Sequence, residues 1–428
     1  MFSTKVEDKL SIVKDIKTGV WIYFLLLLFE GALRKWVFPG LSSVILIIRD
    51  PLVLYLFYQA QKSGLLKNNF YYTSILIVSL ISFILTIYVG HGNILVALFG
   101  LRIILIQFPF IFVIGNFFSK QDCIKLGKSL VYINIGMTIL VAIQYFSPQT
   151  AWVNKGIGDG DSSGFSGAGG YFRVPGTFSF TNGLSFFYGF VTGFIFYFWI
   201  ENNSLNKIVL SVSTFCLLIA IPLSISRTVL IEFIVTSIFL LLISGRNPKI
   251  IGRIFLTVLL LFAIFSFLSN LSFFTDMKAV FMERLNSANE NEGGAKTIFM
   301  DRVLGGMLGA LTNNKLPFWG LGLGMGTNAG STLLTGSATY LISEGEWGRL
   351  IGEMGLFIGF FVICLKLALA TKLFYRSWKD IAAGNVLPWL LLSFAFIVLL
   401  NGQWGQPTSL GFCVLSVGLV ISSLNEAY

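Results

Sequence analysis

Apolar stretches succeed one another along this chain, separated by short polar breaks. A bilayer core about 30 Å thick needs about 20 helical residues at about 1.5 Å rise each. Backbone groups in lipid must pair internally, so continuous apolar runs are expected as helices. About twelve spans are read this way: 18–33, 42–61, 70–89, 94–117, 127–147, 182–200, 207–223, 228–244, 250–271, 347–371, 384–402 and 408–425. Met1 to Gly19 is polar, with Lys5, Lys9, Lys14 and Lys17, and no small-residue cleavage site follows the first apolar run. That pattern is not one of a cleaved signal.

Two segments are too polar to span and too long to be turns: 148–181, which contains GIGDGDSSGFSGAGG, and 272–346. Loops of this length usually carry function or disorder. In the second, Phe299, Val303, Met307 and Leu311 recur at spacing four, which predicts a helix lying along the membrane surface. No internal repeat is visible, which counts against a secondary transporter built from two related halves. Residues 1–428 therefore read as one integral membrane domain, all-α and polytopic.

Charge orients the spans. With a cytoplasmic N-terminus, the inner loops hold Lys62 and Lys67; Lys120, Lys125 and Lys128; Lys207; Arg246, Lys249 and Arg253; and Lys372, Arg376 and Lys379. The outer breaks Tyr88–Asn93 and Asn401–Pro407 hold no Lys or Arg, and Arg34 and Lys35 are the exception to the alternation. The positive-inside rule then places both termini in the cytoplasm and both long segments outside. Composition agrees: 55% of residues are hydrophobic and 12% charged, against about 25% charged in soluble domains. With 43 Phe and 4 Cys, neither a disordered chain nor a disulfide scaffold fits. The net charge of +10 is scattered between apolar runs, so it gives no nucleic-acid footprint.

Charges inside spans are expensive and usually face protein or water. Arg102 lies within the fourth span, Arg49 and Asp50 open LIIRDPLVL, Glu30 ends the first span, and Arg227 sits in LSISRTVLIE at an outer turn. Arg49 and Asp50 are expected to neutralise each other, Arg102 to pair with Glu30 or Asp50, and Lys366 to snorkel to the cytoplasmic face. Outer segments add Arg173 in YFRVPGTFSFTN, Arg284, Arg302, and SEGEWGRLIGEMG with Glu344, Glu346, Arg349 and Glu353. Glu346, Arg349 and Glu353 fall on one face of a helix that starts near Glu346, as an intrahelical charge string or as part of a site. GLGLGMGTNAG (320–330) lacks the Lys-Ser/Thr and the preceding strand of a phosphate loop. Its glycines are read instead as turning tightly against a cavity.

His91 is the sole histidine and the four cysteines are far apart. Hence no zinc, haem or iron–sulfur spacing exists, no nucleophilic triad forms without His91, and no cofactor is expected. What remains is a set of outer arginines with a few carboxylates. Arginine grips phosphate oxygens bidentately and stays charged. Such a site suits a lipid pyrophosphate, stabilises charge on a departing diphosphate, and leaves a carboxylate to deprotonate a sugar hydroxyl.

RVPGTFSFTN (173–182), SISRTVL (224–230), GLGLGMGTNAG and SEGEWGRLIGEMG resemble the O-antigen polymerase and ligase superfamily of bacterial envelope proteins. FEGALRKWVFP (29–39), IRDPLVL (48–54) and NGQWGQPTSLGF (401–412) resemble its exopolysaccharide subgroup. The resemblance covers most of the chain in order, although each motif alone is loose. It implies a metal-independent, inverting, GT-C-like glycosyltransferase in the bacterial inner membrane, taking glycan from an undecaprenyl-pyrophosphate donor at the outer face. Arg173, Arg227 and Arg302 match family arginine positions, and Arg102 and Arg349 are added as pyrophosphate-binding candidates. Family ligases carry a histidine in the large loop; its absence here favours a polymerase and leaves the base open, with Glu346 and Glu344 as candidates. Implied partners are the lipid-linked glycan, membrane lipid, and a chain-length regulator or flippase. A ligase, and a transporter or flippase of lipid-linked glycan, are the competing readings.

Overall fold

A computed structural model describes residues 2–157, 164–201, 205–292, 317–336, 341–343 and 345–424. The expected surface helix through residues 299–311, together with Arg302 and Glu344, lies outside the described residues.

Among the described residues, ten helices are long and apolar enough to cross a membrane, and two shorter apolar helices, Lys207–Leu223 and Leu387–Asn401, fall at two further expected positions. The chain is thus an all-α, multi-pass membrane protein. In order, the helices are α1 (Phe2–Ala32), a short α2 (Ser42–Ile45), α3 (Arg49–Ser63), α4 (Phe70–Tyr88), α5 (Ile94–Leu101), α6 (Phe108–Phe117) and α7 (Lys120–Phe146). Then follow α8 (Thr181–Ile200), α9 (Lys207–Leu223), α10 (Arg227–Leu242), α11 (Ile251–Leu268) and α12 (Ser272–Glu292). A small α13 (Asn328–Thr335), α14 (Glu346–Ala382), α15 (Leu387–Asn401) and α16 (Pro407–Leu424) complete the described helices. Strands β1 (Phe165–Ser166) and β2 (Phe172–Arg173) pair antiparallel in the 148–181 segment.

Local chemistry sets the boundaries. Asn69 caps α4 by accepting from Tyr72 N, Asn93 caps α5 through Leu95 and Val96, and Ser119 with Asp122 forms a reciprocal cap on α7. Each cap satisfies amides that the first helical turn leaves open. α5 and α6 are one span joined by a π-helical turn, Arg102–Gln107. It ends two residues before Pro109, whose ring and missing N–H displace the usual i−4 bond.

α8 and α16 form the axis of the bundle, buried over 89% and 83% of their apolar windows, whereas α11 is only 17% buried and turns its side chains outward to lipid. Phe178, Phe190, Phe394 and Phe412 interlock across this axis with ring centroids 5.5–6.2 Å apart. Such ring pairs add edge-to-face attraction to the dispersion that holds membrane helices together.

One expected span is different in kind. Residues 347–371 do not form a straight crossing. At Gly355 the backbone takes φ 79° and ψ 173°, and α14 doubles back. Its first arm, 346–354, runs beside the second: a Cβ at Gly359 would lie 2.6 Å from Leu350 O, and Lys366 Nζ reaches Glu346 Oε1 at 3.3 Å. Nine residues of arm rise about 13 Å, so Glu346 is set deep beside the crossing arm. The glycine loop packs into the fork. Leu321 N donates to Gly352 O and Gly322 N to Glu353 O, at 2.8 and 3.0 Å. Gly320, Gly322 and Gly324 all have positive φ, and Gly324 N presses on Gly100 of α5 where no Cβ fits. The reading of these glycines as tight turns against a cavity agrees with this packing.

Candidate functional site

The loop connections at one end of the bundle carry two buried charge groups. The first is built on α1, α3 and the π turn. Arg49 donates through Nε to Glu30 at 3.0 Å and through Nη2 to Pro407 O at 2.7 Å. Gly411 leaves the space that the Arg49 guanidinium occupies. Arg34 lies 3.8 Å from Glu30 and donates to Ser179 Oγ at 3.0 Å. Arg102 pairs with Asp50 at 2.5 Å, and Gln107 donates to the other Asp50 oxygen at 2.6 Å. The expected neutralisation of Arg49 by Asp50 does not occur. Consecutive helical residues project about 100° apart and do not face each other, so each finds a partner on another element.

Lys35 is fully buried, donates to Gly176 O at 2.7 Å, and lies 4.6 Å from the Trp36 ring. Among the described residues it has no carboxylate partner. The group thus holds Arg34, Lys35, Arg49 and Arg102 against Glu30 and Asp50 only, and the Arg102 Nε is buried without a hydrogen-bond partner. Buried charge in a membrane bundle is costly unless matched, so the unmatched member, Lys35, is relieved by giving up its proton or by an anion beside it.

Arg173 and Arg227 come to the same end. Arg173 closes β2, three residues before the Gly176 that Lys35 holds. The hairpin touches Ile225, two residues before Arg227, with a Cβ at Gly167 only 3.0 Å from Ile225 Cδ1. Both arginines are half-buried and carry contacts of their own.

The second group sits between the two arms of the α14 hairpin, from Glu353 near the Gly355 apex to Glu346 and Lys366 toward its open end. Arg349 donates to Glu346 through Nε at 3.0 Å and Nη2 at 2.9 Å, and to Glu353 through Nη1 at 2.6 Å. Lys366 completes the group, 3.3 Å from Glu346 and 3.8 Å from the Trp404 ring centroid. Lys366 is 1% exposed, so the expectation that it snorkels to an aqueous face is wrong. The hairpin supplies a nearer carboxylate than any interface could. Glu346 Oε2 also accepts from Trp404 N at 3.0 Å. Its two oxygens thereby accept four donors, the full lone-pair capacity of a carboxylate. The geometry removes Glu346 as a candidate general base and commits Arg349 to its carboxylates rather than to a diphosphate.

A small crevice of about 10 Å³, room for about one water, opens against this group, lined by Gly326, Asn328, Ser343, Glu346, Arg349, Gln403, Gly405 and Gln406. The 402–406 connection joins the two groups: Trp404 meets Glu346, the next turn gives Pro407 O to Arg49, and Trp404 packs on Phe108 at 5.5 Å.

Sequence reasoning missed Lys35 as part of a site. Its signal was present, since Arg34 and Lys35 broke the positive-inside alternation, and cations on the wrong side need another reason to be there. It also missed Glu232, which is 1% exposed in α10 with both carboxyl oxygens unpartnered and space only because residue 189 is glycine. Among the described residues no group of His, Cys, Asp or Glu is arranged to hold a metal ion. Comparison with protein-family models, curated proteins and solved structures gives no match.

Proposed function

We propose that this chain is a metal-independent membrane glycosyltransferase with a GT-C-like fold, a polysaccharide polymerase of the O-antigen or exopolysaccharide type. In this reading it works at the outer face of the bacterial inner membrane. The donor is a growing glycan on undecaprenyl pyrophosphate and the acceptor a sugar hydroxyl of a second lipid-linked unit. The hydroxyl oxygen attacks the anomeric carbon, the bond to pyrophosphate breaks, the diphosphate leaves with the electron pair, and the hydroxyl proton goes to water or to the departing diphosphate. Guanidinium and ammonium groups fixed at that end stabilise the developing charge without reorganising.

The observation that carries the reading is the excess of Arg34, Lys35 and Arg49, all buried, and half-buried Arg102 over Glu30 and Asp50 among the described residues, with Arg173 and Arg227 on elements that pack at the same end. A membrane-anchored polyanion is the ligand such a group suits. The supporting experiment is reconstitution in liposomes with lipid-pyrophosphate-linked repeat units. The wild-type chain lengthens them, while Arg173→Ala and Arg227→Ala insert and fold normally but make no polymer. Normal polymer length from both variants would sink the assignment. Movement of labelled units across the bilayer without joining of sugars would replace it with the transporter reading.

A further inference from the structure

Two local rules are broken on consecutive residues immediately before Arg227. α9 ends at Leu223, Ser224 follows in right-handed helical geometry, and Ile225 takes φ 48°. Among the described residues Ile225 is the sole non-glycine with a positive φ. A left-handed residue just past a helix end is common, and glycine or asparagine usually fills it. A β-branched side chain there is strained. Next, Ser226 stands where α10 takes its cap, yet its hydroxyl makes no bond to that helix. It lies 2.8 Å from Ser185 Oγ of α8 instead. A serine in that place ordinarily satisfies an open amide of the first turn, so the start of α10 forgoes that bond. Departures of this kind persist only where the surrounding fold over-determines them, and they gather at functional sites.

The packing shows what over-determines this turn. Ile225 is 1% exposed, and its side chain lies against the hairpin of β1 and β2. A Cβ at Gly167 would lie 3.0 Å from Ile225 Cδ1 and 3.5 Å from its Cγ2. Glycine at position 225 would suit the backbone and leave that contact empty. The hairpin is itself anchored on other elements. Tyr171 stacks on Tyr145 of α7 with ring centroids 4.7 Å apart, and a Cβ at Gly169 would meet Val280 Cγ2 of α12 at 3.2 Å. The hairpin is thus the fixed body. The turn before α10 is tied to it through Ile225 and to α8 through Ser226. β2 ends in Arg173 and α10 begins with Arg227. We infer that Ile225 is a positioning residue, which sets Arg227 relative to Arg173 by seating the turn before α10 against the hairpin. The seating holds by itself; that both arginines then share one ligand rests on the reading above.

The test uses the full chain in liposomes. Turnover of lipid-pyrophosphate-linked repeat units reads the reaction, and hydrogen exchange of backbone amides reads the position of the turn. Ile225→Gly relaxes the backbone and removes the contact. It should lower kcat by about 10- to 100-fold, the scale of a small misplacement of reacting groups, with KM unchanged. Amides of 222–230 should exchange faster than in wild type, while those of the hairpin should not. Ile225→Leu removes the β-branch and keeps a side chain that reaches the hairpin, so it should retain wild-type kcat, KM and exchange. Wild-type kcat in Ile225→Gly, or unaltered exchange of its 222–230 amides, overturns the inference. A leucine variant as defective as the glycine one overturns it also. Where Ile225→Gly does not insert, Ile225→Val decides. It loses only Cδ1, and should show smaller changes of the same sign; wild-type kcat and exchange in that variant overturn the inference. The two arms report separately: faster exchange at 222–230 in Ile225→Gly, with no polymer from any protein including wild type, would sink the function and leave the seating of Arg227 standing.

Discussion

At the residue scale, burial separates charges that are matched within the fold from charges that are not. Glu346 belongs to the first kind, saturated by Arg349, Lys366 and Trp404 N. Removing it leaves Arg349 with Glu353 alone and Lys366 uncompensated. Glu346→Ala should cost about 3–5 kcal/mol, read as thermal unfolding in nanodiscs. Joining it to Lys366→Met should cost less than the sum of the two single changes, because the double variant buries one unmatched charge fewer. A Glu346→Gln protein of wild-type stability but without activity would restore the catalytic role that the geometry denies. Glu232 presents the reverse case. Both its oxygens lack partners at 1% exposure, so no interaction is lost by removing them. Glu232→Leu should raise stability by about 1–3 kcal/mol, the cost of an unpaired buried polar group, and a fall in melting temperature would reveal a partner for this carboxyl.

At the element scale, the legible and the illegible divide along one physical line. Hydropathy located the runs that became helices, because lipid forces any continuous apolar run to close its own hydrogen bonds. It misread 347–371 because hydropathy measures the surroundings of a residue, not the direction of the chain. The first arm of α14 carries Glu346, Arg349 and Glu353 and is more polar than the second, and these charges with Gly352, Gly355 and Gly359 were the hints of a reversal. Partners across elements were hidden for the same reason: Glu30 meets Arg49 only after the chain turns between α1 and α3. The reversal itself hangs on Gly355. Its φ and ψ lie in a region that is essentially glycine-only, and a Cβ there would lie 2.6 Å from Trp319 C and 2.8 Å from Trp319 Cα. Gly355→Ala should therefore cost more than the about 1–3 kcal/mol of backbone strain alone. Opening of the fork should show as new proteolysis in the 317–346 segment, and an alanine variant as protease-resistant as wild type would mean the hairpin tolerates a side chain at its apex.

For the whole molecule, the two ends of the bundle differ in chemistry as well as in length of connection. At one end lie the glycine loop, the hairpin of 165–173, the 402–406 connection and both buried charge groups. At the other, short basic connections are tied to aromatic and backbone groups of neighbouring helices. Lys17 pairs with Asp122 at 2.6 Å, Arg253 donates to Ile200 O at 2.9 Å, Arg246 lies 5.2 Å from the Trp378 ring, and Lys372 lies 5.3 Å from the Tyr71 ring. These cations come from the connections that the positive-inside rule assigns to the cytoplasm, and the rule acts on the chain during insertion, before any of these contacts forms. The loop end should then face outward, as the proposed polymerase requires. Cysteines 123, 216 and 413 are buried, so introduced cysteines can report each face once Cys364 is replaced by serine. Trp152→Cys, at a site 68% exposed at the loop end, should react with a membrane-impermeant maleimide in spheroplasts. Leu65→Cys, 42% exposed at the basic end, should react only after the membrane is broken. The opposite pattern would turn the cationic group toward the cytoplasm, where a donor held in the outer leaflet cannot reach it.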